Sequence, residues 1–184
     1  MAHAVAESKL RMLSGEITPE QHERQMKGLR KSEYWCGEMD EATDFYADTV
    51  MERLAAAGED AELMVEQQLD LNAWAPKSFG TSDAVIIGGS TIEVIDLKYG
   101  KGVKVDAPGN PQLRLYALGA AALFGDIYDF DTARYTIIQP RLSHISTEEL
   151  PLEDLLRWGE TEVAPRAKEA FEGSERLSCG DWCR

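Results

Sequence analysis

Positive charge is scarce in this chain, cysteine is scarcer, and no apolar run is long. Nineteen Lys and Arg face 33 Asp and Glu, a formal net charge of −14 over 184 residues. That balance excludes the broad basic surface by which proteins coat nucleic acid regardless of sequence. A polyanion would have to be met at a narrow, locally basic place. Three cysteines do not make a disulfide framework, and their plain reading is buried or idle thiols. No stretch approaches the length of a bilayer span, and the N-terminus carries no basic-then-apolar leader, so we expect a cytoplasmic setting and no membrane partner. With 43% hydrophobic residues, the chain suits one core and is short for two, which predicts a single domain.

Periodicity and punctuation organise the rest. Residues 1–13 and 19–31 read as helices, the second capped by Thr18 with Pro19 in its first turn. A longer amphipathic helix is predicted from Glu38 to Ala57, stopped by Gly58. Residues 61–71, 81–87, 91–98 and 134–140 read as strands, and Asn110-Pro111 opens a helix between the last two. A final helix over 152–171 contains Pro165 and should kink or break there. The excess acid is expected on solvated helical faces over 37–48, 59–66 and 148–162. The fold class expected is α/β, with a central mixed sheet of about four strands flanked by helices.

The most informative stretch is GTSDAVIIGGSTIEVIDLKYGKG, from Gly80 to Gly102. Two runs rich in Val, Ile and Thr flank Gly88-Gly89, a two-glycine signal for an antiparallel hairpin. Side chains alternate along a strand, so Asp96 and Lys98 point the same way. Pairing about the glycines brings Asp83 close to the level of Asp96. Two neighbouring carboxylates repel, and in a partly buried site both stay ionised only with a cation between them. Mg²⁺ or Mn²⁺ suits this place, because such ions take one or two carboxylates, keep several waters and accept phosphate oxygens. Lys98 would neutralise charge developing on a phosphoryl group. The plain structural alternative is a buried Asp96–Lys98 ion pair, which leaves Asp83 unexplained. Further along, Gln112 and Tyr116 are four apart and share a helix face; they either present an amide and a phenol to the site or pack as ordinary helix residues. Lys101 and Lys104 make the loop after the second strand locally basic and are candidate DNA contacts.

GTSDAV, EVIDLKYGKG and NPQLRLYALGA together resemble the PD-(D/E)xK nuclease superfamily, in particular a phage and prophage family of the RecB-like exonuclease branch. The resemblance implies a restriction-endonuclease-like core with Asp83, Asp96, Lys98, Gln112 and Tyr116 as catalytic residues. It also implies that His3, with Glu7 one helical turn on, is a metal ligand beside Asp83 and Asp96, and that Glu66 is a supporting acid before the hairpin. Many members hold a four-iron four-sulfur cluster, and Cys183 resembles the first of their late cysteines, while Cys36 does not match a family position. Both ends of the chain are short relative to the family, so a cluster, if one is held, would belong to a longer parent protein and not to this chain, where three thiols fall below the usual four ligands.

The function implied is metal-dependent exonucleolytic hydrolysis of linear DNA in phage recombination or DNA processing. A phage single-strand annealing protein would be the partner and the bacterial host cytoplasm the setting. The other classes are a non-catalytic nucleic-acid-binding or interaction module on the nuclease fold, and a structural protein whose strand carboxylates merely form ion pairs.

Overall fold

A computed structural model describes residues 1–173. Its centre is one five-stranded sheet in chain order: β1 (Glu62–Asp70), β2 (Phe79–Gly88), β3 (Thr91–Leu97), β4 (Thr132–Gln139) and β5 (His144–Pro151). β3 and β4 run parallel and the other neighbours antiparallel, so the sheet is mixed. A parallel pair needs a crossover, which α4 (Pro111–Phe124) supplies. α1 (Ala2–Leu13), α2 (Pro19–Leu29) and α3 (Glu38–Ala57) precede the sheet, and α5 (Leu152–Trp158) and α6 (Ala164–Glu172) follow it.

The α/β class is as expected, but the sheet has five strands rather than about four. The additional strand is β5, HISTEELP, whose side chains alternate between half-buried and exposed. Its acid disguises it as a solvated helical face. Glu148 and Glu149 lie in β5, and Glu62 and Glu66 in β1, so the acidic stretches 59–66 and 148–162 are partly strand. Both strands are sheet edges, where charge is tolerated and blocks unwanted pairing.

The central strands are covered on both faces. Val85, Ile87, Ile92, Val94, Tyr135 and Ile137 share one buried cluster with Leu113, Ala117 and Leu118 of α4. Ala84, Ile86, Ile95, Leu97 and Ile138 share the other with Ala6 and Leu10 of α1 and Tyr46 and Val50 of α3. Burial on two faces explains why β3 reads as nearly continuous apolar sequence.

Local signals set the helix starts. Thr18 and Gln21 form a reciprocal capping box ahead of α2, and the Asn110 side chain accepts from the Gln112 and Leu113 N–H groups ahead of α4. The break expected near Pro165 is a π-helical turn, Gly159–Val163, between α5 and α6. Proline donates no hydrogen bond and crowds the carbonyl four residues back, so the preceding turn widens.

The hairpin turn differs from expectation by one residue, with a large effect. The turn comprises Gly89-Ser90, with Gly89 at φ 56°, while Gly88 stays in β2 opposite Thr91. A β-carbon at Gly88 would lie 2.7 Å from the Ala57 carbonyl oxygen, so glycine lets the end of α3 press on the strand. Centring the turn on Gly88-Gly89 would set Asp83 opposite Val94. The observed register, Ala84 opposite Ile95, brings Asp83 opposite Asp96 at the next step.

Candidate functional site

The site lies where β2 and β3 part company. Asp83 follows the last β2–β3 pair, and its Oδ2 accepts the Leu97 N–H at 2.7 Å. α1 reaches over this end of the sheet, and His3 Nε2 is 2.9 Å from the Leu97 carbonyl oxygen and 3.6 Å from Asp83 Oδ2. Across from Asp83, Asp96 is 5% exposed. Lys98 Nζ lies 2.8 Å from Asp96 Oδ2, so this buried oxygen is held in an ion pair with the ammonium.

Burial dominates the electrostatics. It pushes the Asp83 carboxyl up to about 6, with the Asp96 charge adding to the lift and the Leu97 N–H opposing it. Burial raises Asp96 as well, against the pull of Lys98. Glu66 is raised by burial and by Glu7. Glu66 also has φ 53° within β1, and the β1–β2 ladder skips it, passing from Val65–Ala84 to Gln67–Ser82. A left-handed glutamate in a strand costs about 1–2 kcal/mol. This strain puts Glu66 in the crevice lined by His3, Glu7, Asp83 and Leu97.

A polar chain leads outward from Asp96. Lys98 Nζ donates to Gln112 Oε1 at 2.9 Å, and Gln112 Nε2 donates to the Tyr116 hydroxyl at 3.1 Å. Tyr116 is seated against Gly80, where a β-carbon would stand 2.5 Å from its ring. Beyond Gln112 and Tyr116 opens a cavity of about 670 Å³, walled mainly by Leu71, Phe79, Leu115 and Trp158. Phe79 is 70% exposed there.

The structure thus gathers Asp83, Asp96, Lys98, Gln112, Tyr116, His3 and Glu66 at one end of the sheet. It does not leave Lys101 and Lys104 free. Lys101 pairs with Glu38 at 2.6 Å and Lys104 with Asp106 at 3.4 Å. Cys36 is exposed, with its sulfur 3.6 Å from the Tyr99 hydroxyl; Cys183 lies outside the described residues. Sequence reasoning missed two contributors, the Leu97 carbonyl oxygen and Tyr46. A backbone oxygen leaves no trace in sequence, and Tyr46 reads as one more apolar position of a long helix.

The donors fit a hard divalent cation. They comprise two carboxylates, a nearby third, a carbonyl oxygen and an imidazole, a set more suited to Mn²⁺ than to Mg²⁺ alone because of the nitrogen. Two neighbouring carboxyls, both pushed up by burial, are the observation that calls for one. Among the described residues, however, no three His, Cys, Asp or Glu side chains are close enough to form a ready coordination sphere.

Fold and site together define an α/β protein with a half-buried and a buried carboxylate side by side where β2 and β3 separate. The family described as "Protein of unknown function (DUF2800)" matches residues 1–184, and the chain belongs to that family. A solved structure described as "Crystal structure of SSO0001" is similar over 94% of this chain and 77% of that one, at 16% identity and a TM-score of 0.32. A likeness that slight carries no argument about the site. Among the described residues, no helix is long and apolar enough to cross a membrane.

Proposed function

We propose that this chain is a metal-dependent deoxyribonuclease of the PD-(D/E)xK type, acting as an exonuclease on linear DNA. The observation that carries the reading is the juxtaposition of half-buried Asp83 and buried Asp96 at the end of the β2–β3 pairing, with Lys98 on Asp96. Asp83 and Asp96 would hold Mg²⁺ or Mn²⁺, with the Leu97 carbonyl and His3 on the same side. The bound ion would supply the charge that polarises a phosphoryl oxygen and acidifies the attacking water.

The remaining work falls to the protein's own groups. Lys98 is aimed by Gln112 at the space beside Asp96, where its ammonium offsets negative charge developing on the phosphate. Tyr116 fixes the Gln112 amide, and Gly80 fixes the Tyr116 ring, so the ammonium is preorganised. The apolar cavity beyond Gln112 lies against that flank. Because Lys101 and Lys104 are tied to Glu38 and Asp106, DNA would be gripped weakly away from the site.

Digestion of end-labelled linear and circular DNA, with Mg²⁺ or Mn²⁺ and with EDTA, tests the proposal. Metal-dependent release of nucleotides from linear DNA, lost in Asp96→Asn, is the expected result. A second reading, a non-catalytic nucleic-acid-binding module on the same fold, is favoured by the absence of a ready three-ligand set among the described residues. Metal-independent DNA binding without cleavage would establish it.

A further inference from the structure

Tyr46, on α3, is fully buried, and among the described residues its hydroxyl has no hydrogen-bond partner. Leaving a buried hydroxyl unsatisfied is costly, and phenylalanine would fill the same volume without that cost. A position so deep in the core has no packing reason to carry the oxygen.

Its surroundings offer one. Tyr46 lines the crevice with His3, Glu7, Glu66, Asp83 and Leu97, and the charges of Asp83, Asp96 and Glu66 all act on it. It is therefore a donor close to carboxylates and, among the described residues, bonded to none of them. One Asp83 oxygen is taken by the Leu97 N–H, and one Asp96 oxygen lies against Lys98.

We propose that Tyr46 is a positioning residue of the cation site, its hydroxyl donating to the Asp83 carboxylate when a divalent cation is bound and so holding that carboxylate in its ligating orientation. The inference rests on the reading of Asp83 and Asp96 as a cation site. It adds to that reading a partner on α3, on the opposite side of the crevice from the strands. Carboxylates that bind metal are oriented by such outer hydrogen bonds, and losing one lowers metal affinity about 10–100-fold. In the metal-free protein the same hydroxyl has nothing to hold, so the two states should respond oppositely to its removal.

The test is Mn²⁺ titration by calorimetry on the full chain and on Tyr46→Phe, with thermal melting of both in EDTA. Tyr46→Phe should bind Mn²⁺ about tenfold more weakly or worse, while its melting temperature in EDTA equals or exceeds that of the parent chain. Unchanged Mn²⁺ affinity would overturn the inference. So would a melting temperature in EDTA well below the parent's, since that marks a hydroxyl serving the metal-free fold. If the parent chain itself binds no Mn²⁺, the cation-site reading fails first and the inference falls with it.

Discussion

Replacing Asp83 with asparagine separates a strained carboxylate from a structural one, because the two make opposite predictions for stability. The Asp83 carboxyl is lifted from 3.8 to about 6 by burial and by Asp96. A folded-state value above the unfolded one means that the native protein binds the extra proton. The contribution of this group to stability is therefore fully present below pH 4, falls as pH rises from about 4 to 6, and is flat above that window. The size of the fall is about 3 kcal/mol, taking ~1.4 kcal/mol for each tenfold change in proton affinity. Asparagine keeps the shape and an acceptor for the Leu97 N–H but carries no charge. In EDTA at pH 7.5, Asp83→Asn should recover about 1–3 kcal/mol, a rise in Tm of roughly 3–10 °C for a chain of this size. The gain should shrink toward zero at pH 4, where the folded parent is already protonated. Adding Mn²⁺ should reverse the order: the parent gains stability by mass action and Asp83→Asn does not. Thermal melts across pH, with EDTA and with Mn²⁺, make the measurement. A variant less stable than the parent in EDTA at pH 7.5, or a difference independent of pH, would show that Asp83 serves the fold through its bond to Leu97, and the strained-pair argument would be wrong.

Three other substitutions probe separate parts of the structure. Asp96→Asn should abolish metal-dependent cleavage with the fold intact, whereas Lys98→Ala should slow cleavage about 10²-fold or more while Mn²⁺ affinity is kept; equal loss of affinity in both variants would refute this division of roles. His3→Ala should weaken Mn²⁺ binding more than Mg²⁺ binding, since imidazole favours the former, and calorimetry giving the parent affinity for Mn²⁺ would remove His3 from the ligand set. Gly88→Ala should destabilise by about 1–3 kcal/mol, because its new methyl meets the Ala57 backbone at 2.7 Å; a denaturation midpoint equal to the parent's would show that the end of α3 yields freely.

Much of the scaffold was legible because its signals are local. The Thr18 cap with Pro19 starts α2, Asn110-Pro111 starts α4, and the span Glu38 to Ala57 agrees residue for residue with α3. These depend on neighbours within one turn of chain. β5 was not legible. Its Glu148 and Glu149 make an edge strand look like a solvated helix, and only pairing with β4 gives the segment a reason to extend. Glu66 likewise looks like an ordinary strand residue, and nothing near it in sequence announces a left-handed backbone.

By itself the sequence determined that Asp96 and Lys98 share a face, that Gln112 and Tyr116 share another, and that a glycine turn brings Asp83 near them, because alternation and helical spacing are properties of the bare chain. Tertiary structure decided the rest. Whether Asp83 faces Asp96 or Val94 hung on one residue of turn placement, set by the close approach of Ala57 to Gly88. Lys101, basic in sequence, became the partner of Glu38 on α3, an acid brought to it only by the fold, whereas Lys104 pairs with Asp106 two residues along its own loop. His3 and Tyr46 reach the carboxylates only because α1 and α3 pack on the same face of the sheet. Desolvation, which gives the aspartates their raised affinity for protons, depends on every element that closes over them, and no short stretch of sequence carries it.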